Sequence, residues 1–99
     1  MTRVIFTDLA RQELEDAVGY YELEYSGLGL RFKEEVRRAV MLIASYPRAW
    51  SLERGDVRKC LLHKFPYKLM YSVEEGHLLV LAVAHQHRKP DYWVGRRKK

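Results

Sequence analysis

Apolar residues recur along the first part of the chain at the spacing of an amphipathic helix. From Ala10 onwards they return every three or four positions, which places them on one helix face. This face consists of Ala10, Leu14, Ala17, Val18, Tyr21 and Tyr25. We expect the acidic residues to lie mostly on other faces: Glu13, Glu15, Asp16, Glu22 and Glu24. Thr7 or Asp8 would cap the helix at its start.

A second apolar stripe predicts a second helix after the stretch SGLG, Ser26–Gly29, whose glycines are typical of a helix end. The stripe consists of Leu28, Phe32, Val36, Ala39, Val40, Ile43 and Ala44. Pro47 would end this helix, because proline lacks the amide hydrogen that a helix interior needs. Since the link between the two helices is short, we expect an antiparallel hairpin.

The second half of the chain has the pattern of extended strands. VRKCLLHK, FPYKLMYSV and HLLVLAVAH are rich in β-branched, aromatic and aliphatic residues. The last of them is apolar on both faces, which predicts a central strand, and Glu75-Gly76 would form the turn before it. Val4-Ile5-Phe6 predicts a further short strand, and residues 47–56 a loop. The predicted fold is α+β, in the order β-α-α-β-β-β, with a helical hairpin on one face of a small antiparallel sheet.

Length and composition agree with one small domain. The chain has 99 residues, of which 47% are hydrophobic and 31% charged. We expect a single domain over residues 1–95 and a basic, mobile tail at residues 96–99. No apolar run approaches the roughly 18 residues of a membrane span, and MTRVIFTD has no apolar stretch of signal-peptide length. The single cysteine, Cys60, excludes an internal disulfide, so we expect a cytoplasmic protein without membrane contact.

The positive charge is concentrated near the C-terminus. The formal net charge is +5. Residues 86–99 contain six basic residues and one acidic residue, Asp91, so the rest of the chain is balanced. Such a segment either binds nucleic acid or an acidic protein surface, or it is a solvated tail.

Two histidines stand two positions apart in the stretch AHQHRKPDYW. On an extended chain His85 and His87 share a face, where they could bind a metal or transfer protons. A metal site needs a third and usually a fourth ligand. His63 and Cys60 fit no familiar zinc spacing, so we expect neither a metal nor another cofactor. Cys60 lies in an apolar strand, which predicts a buried, unreactive thiol.

Cations, imidazoles and a phenol are spread along the predicted sheet. They are Arg58, Lys59, Lys64, Lys68, His85, His87, Arg88 and Tyr92. A metal-free RNA-cleaving site needs a base for the 2′-hydroxyl, a cation for the phosphate and an acid for the leaving oxygen. These residue types meet that requirement if the fold brings them together.

The chain resembles the RelE/ParE superfamily of toxins from bacterial type II toxin–antitoxin systems. The resemblance is carried, in order, by VIFTDLARQELEDAVGYY, GLGLRFKEEV, IASYPRAW, FPYKLMYSV and AHQHRKPDYWVGR. It implies the same β-α-α-β-β-β fold and a growth-inhibiting, plasmid-stabilising toxin. It also implies a cognate antitoxin protein, whose C-terminal segment wraps the toxin in a hetero-oligomer.

The superfamily contains two activities. RelE-like members cut messenger RNA inside the ribosome, with lysines on the strand that matches Val57–Lys64, an arginine on the next strand, and a basic residue and a tyrosine near the end. ParE-like members lack most of that set and poison DNA gyrase. In this chain Lys59 matches the first lysine, Leu61 stands at the second, and Lys68 replaces the arginine. Arg88 and Tyr92 match the final pair.

We expect the ParE-like branch, with DNA gyrase as the target of protein binding. Leu61 cannot carry a charge or a proton, and Lys68 lacks the planar fork with which arginine holds phosphate. The residues expected to bind the target or the antitoxin are Arg58, His63, Lys64, Arg88, Tyr92, Trp93, Arg96 and Arg97. The alternative is a RelE-like, ribosome-dependent and metal-independent mRNA endonuclease. Its catalytic residues would be Lys59, Lys68, His85, His87, Arg88 and Tyr92.

Overall fold

The computed structural model describes residues 2–97, which contain two helices and five strands. In chain order they are β1 Val4–Phe6, α1 Asp8–Glu24, α2 Leu28–Ser45, β2 Leu52–Arg54, β3 Val57–Leu61, β4 Tyr67–Glu74 and β5 His77–His85. The predicted order β-α-α-β-β-β is confirmed. One short strand, β2, is added inside the segment that was predicted to be a loop.

The five strands form one sheet in the order β1-β5-β4-β3-β2. β5 is the central strand that its two apolar faces predicted, with β1 on one side and β4 on the other. The prediction of an antiparallel sheet is wrong at one pairing, because β1 runs parallel to β5 from Val4–Leu78 to Phe6–Val80. The long connection through both helices and three strands returns the chain alongside β1 in the same direction, which a tight hairpin could not do.

The helical hairpin is closed by a glycine and a carboxylate. A Cβ atom on Gly29 would lie 2.6 Å from the carbonyl oxygen of Val18, so α2 approaches α1 more closely than any other residue would allow. The Glu22 carboxylate accepts hydrogen bonds from the amides of Gly27 and Gly29, at 2.9 and 3.1 Å. At the start of α1, the Thr7 hydroxyl accepts from the amide of Ala10 at 3.1 Å, which is the predicted cap.

Both faces of the sheet are covered. One face packs on the helices, with a core that includes Phe32, Leu69, Tyr71 and Val80. Over the other face lies the C-terminal segment (residues 86–97), whose Trp93 is only 6% exposed. Trp93 belongs to a second buried cluster with Val57, Met70, Leu79, Leu81 and Ala82. The segment therefore covers the core of the second face with Trp93.

The predicted mobile tail, residues 96–99, lies partly within the described residues. Arg96 pairs with Glu13 at 2.9 Å, and Arg97 pairs with Asp56 and Glu74 at 2.5 and 2.6 Å. These ion pairs attach both arginines to the domain. Lys98 and Lys99 lie outside the described residues.

Neither of the two helices described between residues 2 and 97 is long and apolar enough to cross a bilayer.

Candidate functional site

Glu13 joins α1, β5 and the C-terminal segment. Its Oε1 accepts hydrogen bonds from the Val83 amide at 3.0 Å and from Nη1 of Arg96 at 2.9 Å. Its Oε2 accepts from the Tyr92 hydroxyl at 2.8 Å. The Glu13 and Arg96 side chains are 17% and 13% exposed, so their opposite charges attract each other with little solvent screening.

Glu13 reaches β5 because β1 is short. β1 pairs with β5 only as far as Val80, which leaves the edge of β5 open beyond that residue. Side chains complete this edge. Thr7 and Arg96 donate to the carbonyl oxygen of Leu81 at 3.4 and 3.3 Å. Glu13 accepts from the amide of Val83.

Glu13 is an exception to the expectation that the acidic residues lie mostly away from the packed helix face. It follows Ala10 by three positions and precedes Ala17 by four, and both alanines are buried. Its position on the apolar stripe was the signal in the sequence, because a carboxylate on a buried stripe needs a partner.

Tyr92 is held from three sides. Its hydroxyl donates to Glu13, and the guanidinium carbons of Arg88 and Arg96 lie 4.0 and 4.7 Å from the centre of its ring. Burial raises the pKa of Tyr92 far above its ordinary value, and the hydrogen bond to Glu13 raises it further. The phenol therefore stays protonated near neutral pH, and its O–H group is already engaged in the hydrogen bond to Glu13.

The turns around Trp93 fix the course of the C-terminal segment. Asp91 has a left-handed backbone, with φ of 65°, and its carboxylate pairs with Arg54 at 2.8 Å. Gly95 also has a positive φ, of 94°, which permits the turn after Trp93. Trp93 and Arg96 were predicted to bind a target, and the structure places both of them in contacts within the domain.

The predicted nuclease residues are divided between two faces of the sheet. Lys59 lies opposite Met70 and Lys68 opposite Ala84, so both lie on the face that carries the C-terminal segment. His85 lies opposite Tyr67, whose ring packs against Phe32 of α2. His85 is therefore on the helix face.

Two of the nuclease candidates, Lys59 and Tyr92, are directed towards opposite edges of the sheet. The Lys59 amine pairs with Glu53 of β2 at 3.1 Å. The Tyr92 hydroxyl is directed to Glu13, beyond β5. Because β4 separates β3 from β5, the backbones of these strands are about 10 Å apart. The structure does not bring the six residues together around one reacting phosphate.

The two histidines lie against each other where β5 ends. Their ring centres are 5.3 Å apart at an angle of 36°, and the His87 amide donates to Nδ1 of His85 at 3.1 Å. Within residues 2–97, no three His, Cys, Asp or Glu side chains are grouped as metal ligands. Cys60 is 3% exposed, as predicted, and burial raises the pKa of its thiol to about 11.

Three further predicted binding residues lie on β3 or in the loop that follows it. Arg58 donates to the carbonyl oxygen of Trp50 at 2.7 Å and thereby supports the loop before β2. His63 and Lys64 are exposed beyond the end of β3. The His63 amide donates weakly to the buried carboxylate of Glu35, at 3.4 Å.

An open groove runs along the outer side of α2, with a volume of about 630 Å³. We call it the α2 groove. Its apolar lining is Leu28, Leu30, Met41 and Phe65, and its basic lining is Arg31, Arg37, Arg38 and Lys64. Glu34 and Glu35 pair with Arg37 and Arg38, which leaves Arg31 and Lys64 as unpaired cations among the described residues. Leu30 and Met41 are 62% and 51% exposed.

Comparison with known proteins gives a family and a fold. The family model described as "ParE toxin of type II toxin-antitoxin system, parDE" matches residues 4–90. Among solved structures, a chain of the "Chromosomal ParDE TA system from P. aeruginosa" has a TM-score of 0.76 and 16% sequence identity. The match covers 86% of this chain and 96% of that chain, and at this identity it shows the fold alone. A comparison with curated proteins found no match.

Proposed function

We propose, since this chain belongs to the family of ParE toxins of type II toxin–antitoxin systems, that it inhibits DNA gyrase in the cytoplasm by protein contact and is neutralised by a cognate antitoxin. Binding is favoured over RNA cleavage because the residues that would transfer protons and hold phosphate are separated. His85 lies on the helix face, Lys59 is paired with Glu53, and Tyr92 donates to Glu13.

The observation that carries this proposal is the fixed C-terminal segment. Its inner side chains, Trp93 and Arg96, are held within the domain, whereas His87, Arg88 and Lys89 are exposed. A surface that is already ordered loses little conformational entropy when it binds a partner. We infer that this exposed part of the segment contacts gyrase.

A supercoiling assay with purified gyrase and relaxed plasmid tests the target. The toxin should inhibit supercoiling and leave cleaved plasmid after denaturation. Arg88→Glu/Lys89→Glu should weaken inhibition, because two charges at the contact are reversed. The matched control reverses two exposed charges on other surfaces, as Arg11→Glu/Lys33→Glu, and should inhibit like the original chain. Unchanged supercoiling at saturating toxin would contradict gyrase as the target.

The α2 groove fits the antitoxin. It combines exposed apolar side chains with surplus positive charge. A segment that presents an apolar face flanked by carboxylates would bury Leu30 and Met41 and pair with Arg31 and Lys64. We infer that the antitoxin supplies an acidic, amphipathic segment of this kind.

Two exposed positions test the groove without disturbing the core. Leu30→Glu and Met41→Glu should each weaken binding of the protein encoded beside the toxin gene, because each places a carboxylate where an apolar contact is needed. Leu9→Glu is the matched control on α1, where Leu9 is 55% exposed. All three variants should still inhibit gyrase. Antitoxin binding that survives in both groove variants would place the antitoxin elsewhere.

A further inference from the structure

Three chain segments meet at one end of the sheet. β3 ends there at Leu61, β4 begins at Tyr67, and β5 ends at His85. Lys68 is paired in register with both Leu61 and Ala84. The amide of Gln86 donates to the carbonyl oxygen of Pro66 at 2.8 Å, which joins the two loops. We call this surface, residues 61–69 and 84–90, the basic end.

The basic end contains no carboxylate in its own sequence. Its cations are Lys64, Lys68, Arg88 and Lys89, and its imidazoles are His63, His85 and His87. Within residues 2–97, none of these four cations forms an ion pair. The sheet's other end is different, because Arg54 and Arg97 are paired there with Asp91, Asp56 and Glu74.

Carboxylates on neighbouring elements do not neutralise this surface. Glu35 accepts from the His63 amide and pairs with Arg38. Glu13 and Asp16 line an open cleft beside His85 and Arg88; Glu13 pairs with Arg96, and Asp16, which accepts from the neutral amide of Gln12, leaves one negative charge against the four cations. The basic end therefore keeps an excess of positive charge, which a polyanion would compensate.

We propose that the basic end binds the phosphodiester backbone of a nucleic acid, and that it does so without cutting it. The cations stand on the loop before β4, on β4 and on the segment after β5, so a strand that passes across this end of the sheet can contact them in turn. The exposed His87 ring offers a surface on which an unpaired base can stack. This contact is a property of the isolated toxin and does not depend on gyrase being its target.

A nucleic acid fits this surface better than an acidic peptide. Acidic amphipathic segments need apolar anchors, which the α2 groove provides. At the basic end, Leu61 is the one large hydrophobic residue among the described positions that is substantially exposed, at 51%. The surface instead combines charge with planar rings, which is the combination that binds single strands without reading their sequence.

Fluorescence anisotropy with the full chain tests the proposal. The probes are a short labelled single-stranded RNA and a DNA duplex of the same sequence, each titrated at several salt concentrations. The logarithm of the association constant should fall linearly with the logarithm of the salt concentration. The slope should be about −0.7 per contacted phosphate for the single strand and about −0.9 for the duplex. The probe that binds more tightly identifies the source of the backbone, and binding to neither probe overturns the proposal.

Charge-matched variants locate the surface. Lys64→Gln/Lys68→Gln/Lys89→Gln should lower affinity at least about tenfold and reduce the salt slope by about 0.7 for the single strand, or about 0.9 for the duplex, for each lost contact. Arg3→Gln/Arg11→Gln/Lys33→Gln removes the same charge elsewhere and should bind nearly as the original chain does. Equal losses in both variants would mean that only net charge matters, which overturns the proposal.

Two further measurements control for a peptide-binding site and for loss of the fold. Polyglutamate of matched charge should compete poorly; competition equal to that of unlabelled RNA would indicate a peptide site and contradict the inference. Near-ultraviolet circular dichroism reports whether each variant retains its packed aromatic rings. If the triple variant fails to fold, Lys89→Gln, at an exposed position outside the strands, replaces it. Failure of gyrase inhibition would leave this result unaffected.

Discussion

The hydroxyl of Tyr92 lies 2.8 Å from Oε2 of Glu13, a residue 79 positions earlier in the chain. The same carboxylate binds Arg96 and the open edge of β5. The first helix therefore holds the last described turns of the chain in place. Through this contact, the positions of Arg88 and Lys89 depend on a residue of the first helix.

Neutralising Glu13 should loosen the C-terminal segment. Glu13→Gln keeps the shape of the side chain but removes the charge opposite Arg96 and turns an amide towards donors. We expect the free energy of unfolding to fall by about 2–4 kcal/mol, as measured by urea denaturation. Glu15→Gln, at an exposed position two residues away, should change it by less than about 0.5 kcal/mol. Equal stability of the two variants would contradict this role of Glu13.

Two glycines of the helical hairpin should respond oppositely to alanine. Gly29→Ala should destabilise the protein, because the new methyl group would lie 2.6 Å from the Val18 carbonyl oxygen and force the helices apart. Gly19→Ala adds a methyl group with nothing within 4 Å, so it should stabilise α1 by up to about 1 kcal/mol. Thermal unfolding of both variants checks the prediction, and a loss of stability in Gly19→Ala would refute it.

Alkaline pH should weaken the fold through Tyr71. This side chain is fully buried, its hydroxyl donates to the carbonyl oxygen of Pro47 at 2.6 Å, and burial raises its pKa to about 12 from 10.0. Because the folded pKa is the higher one, the tyrosine's contribution is complete below pH 10 and is lost as the pH rises towards 12.

Urea midpoints measured across that range should fall for the original chain. Tyr71→Phe should start from a lower stability, since it loses the hydrogen bond to Pro47, but should decline less steeply. The buried thiol of Cys60, whose pKa is raised to about 11, should contribute a decline that remains in the variant. Parallel pH profiles for the two proteins would show that Tyr71 is not responsible.

Replacing Tyr92 separates binding from cleavage. Tyr92→Phe keeps the ring that contacts Arg88 and removes one hydrogen bond to Glu13. If the protein acts by binding, its half-maximal inhibitory concentration should rise by less than about tenfold, because one hydrogen bond contributes about 1 kcal/mol. A proton donor in a nuclease would lose about 10²-fold or more in rate. New cuts in ribosome-bound message that vanish in this variant would favour the endonuclease.

Regular elements were predictable where their signal is local. The apolar stripe from Ala10 predicted α1, and Pro47 correctly marked the end of α2, whose last residue is Ser45. β2 was missed because Leu52–Arg54 is exposed throughout and shows no alternation. β2 forms because the edge of β3 offers hydrogen-bond partners to its backbone. The sequence of β2 alone gives no sign of those partners.

The candidate site was less predictable than the fold. The stretch AHQHRKPDYW was predicted to be a functional edge, which stays a prediction, and the sequence did not show which of its residues are grouped with which. Trp93 is a core residue and Arg96 a partly buried partner of Glu13. Residue type alone does not distinguish a cation that binds a target from one that holds its own domain.

By itself, the sequence determined the helices, the main strands and the family resemblance, because hydrophobic period and turn residues act between near neighbours. Tertiary structure alone decided that the C-terminal segment crosses the second face of the sheet and that Glu13 anchors it. It also decided that four cations without an ion pair among residues 2–97 stand at the same end of the sheet. These features arise from contacts between residues up to 83 positions apart, which exist only after the chain has folded back on itself.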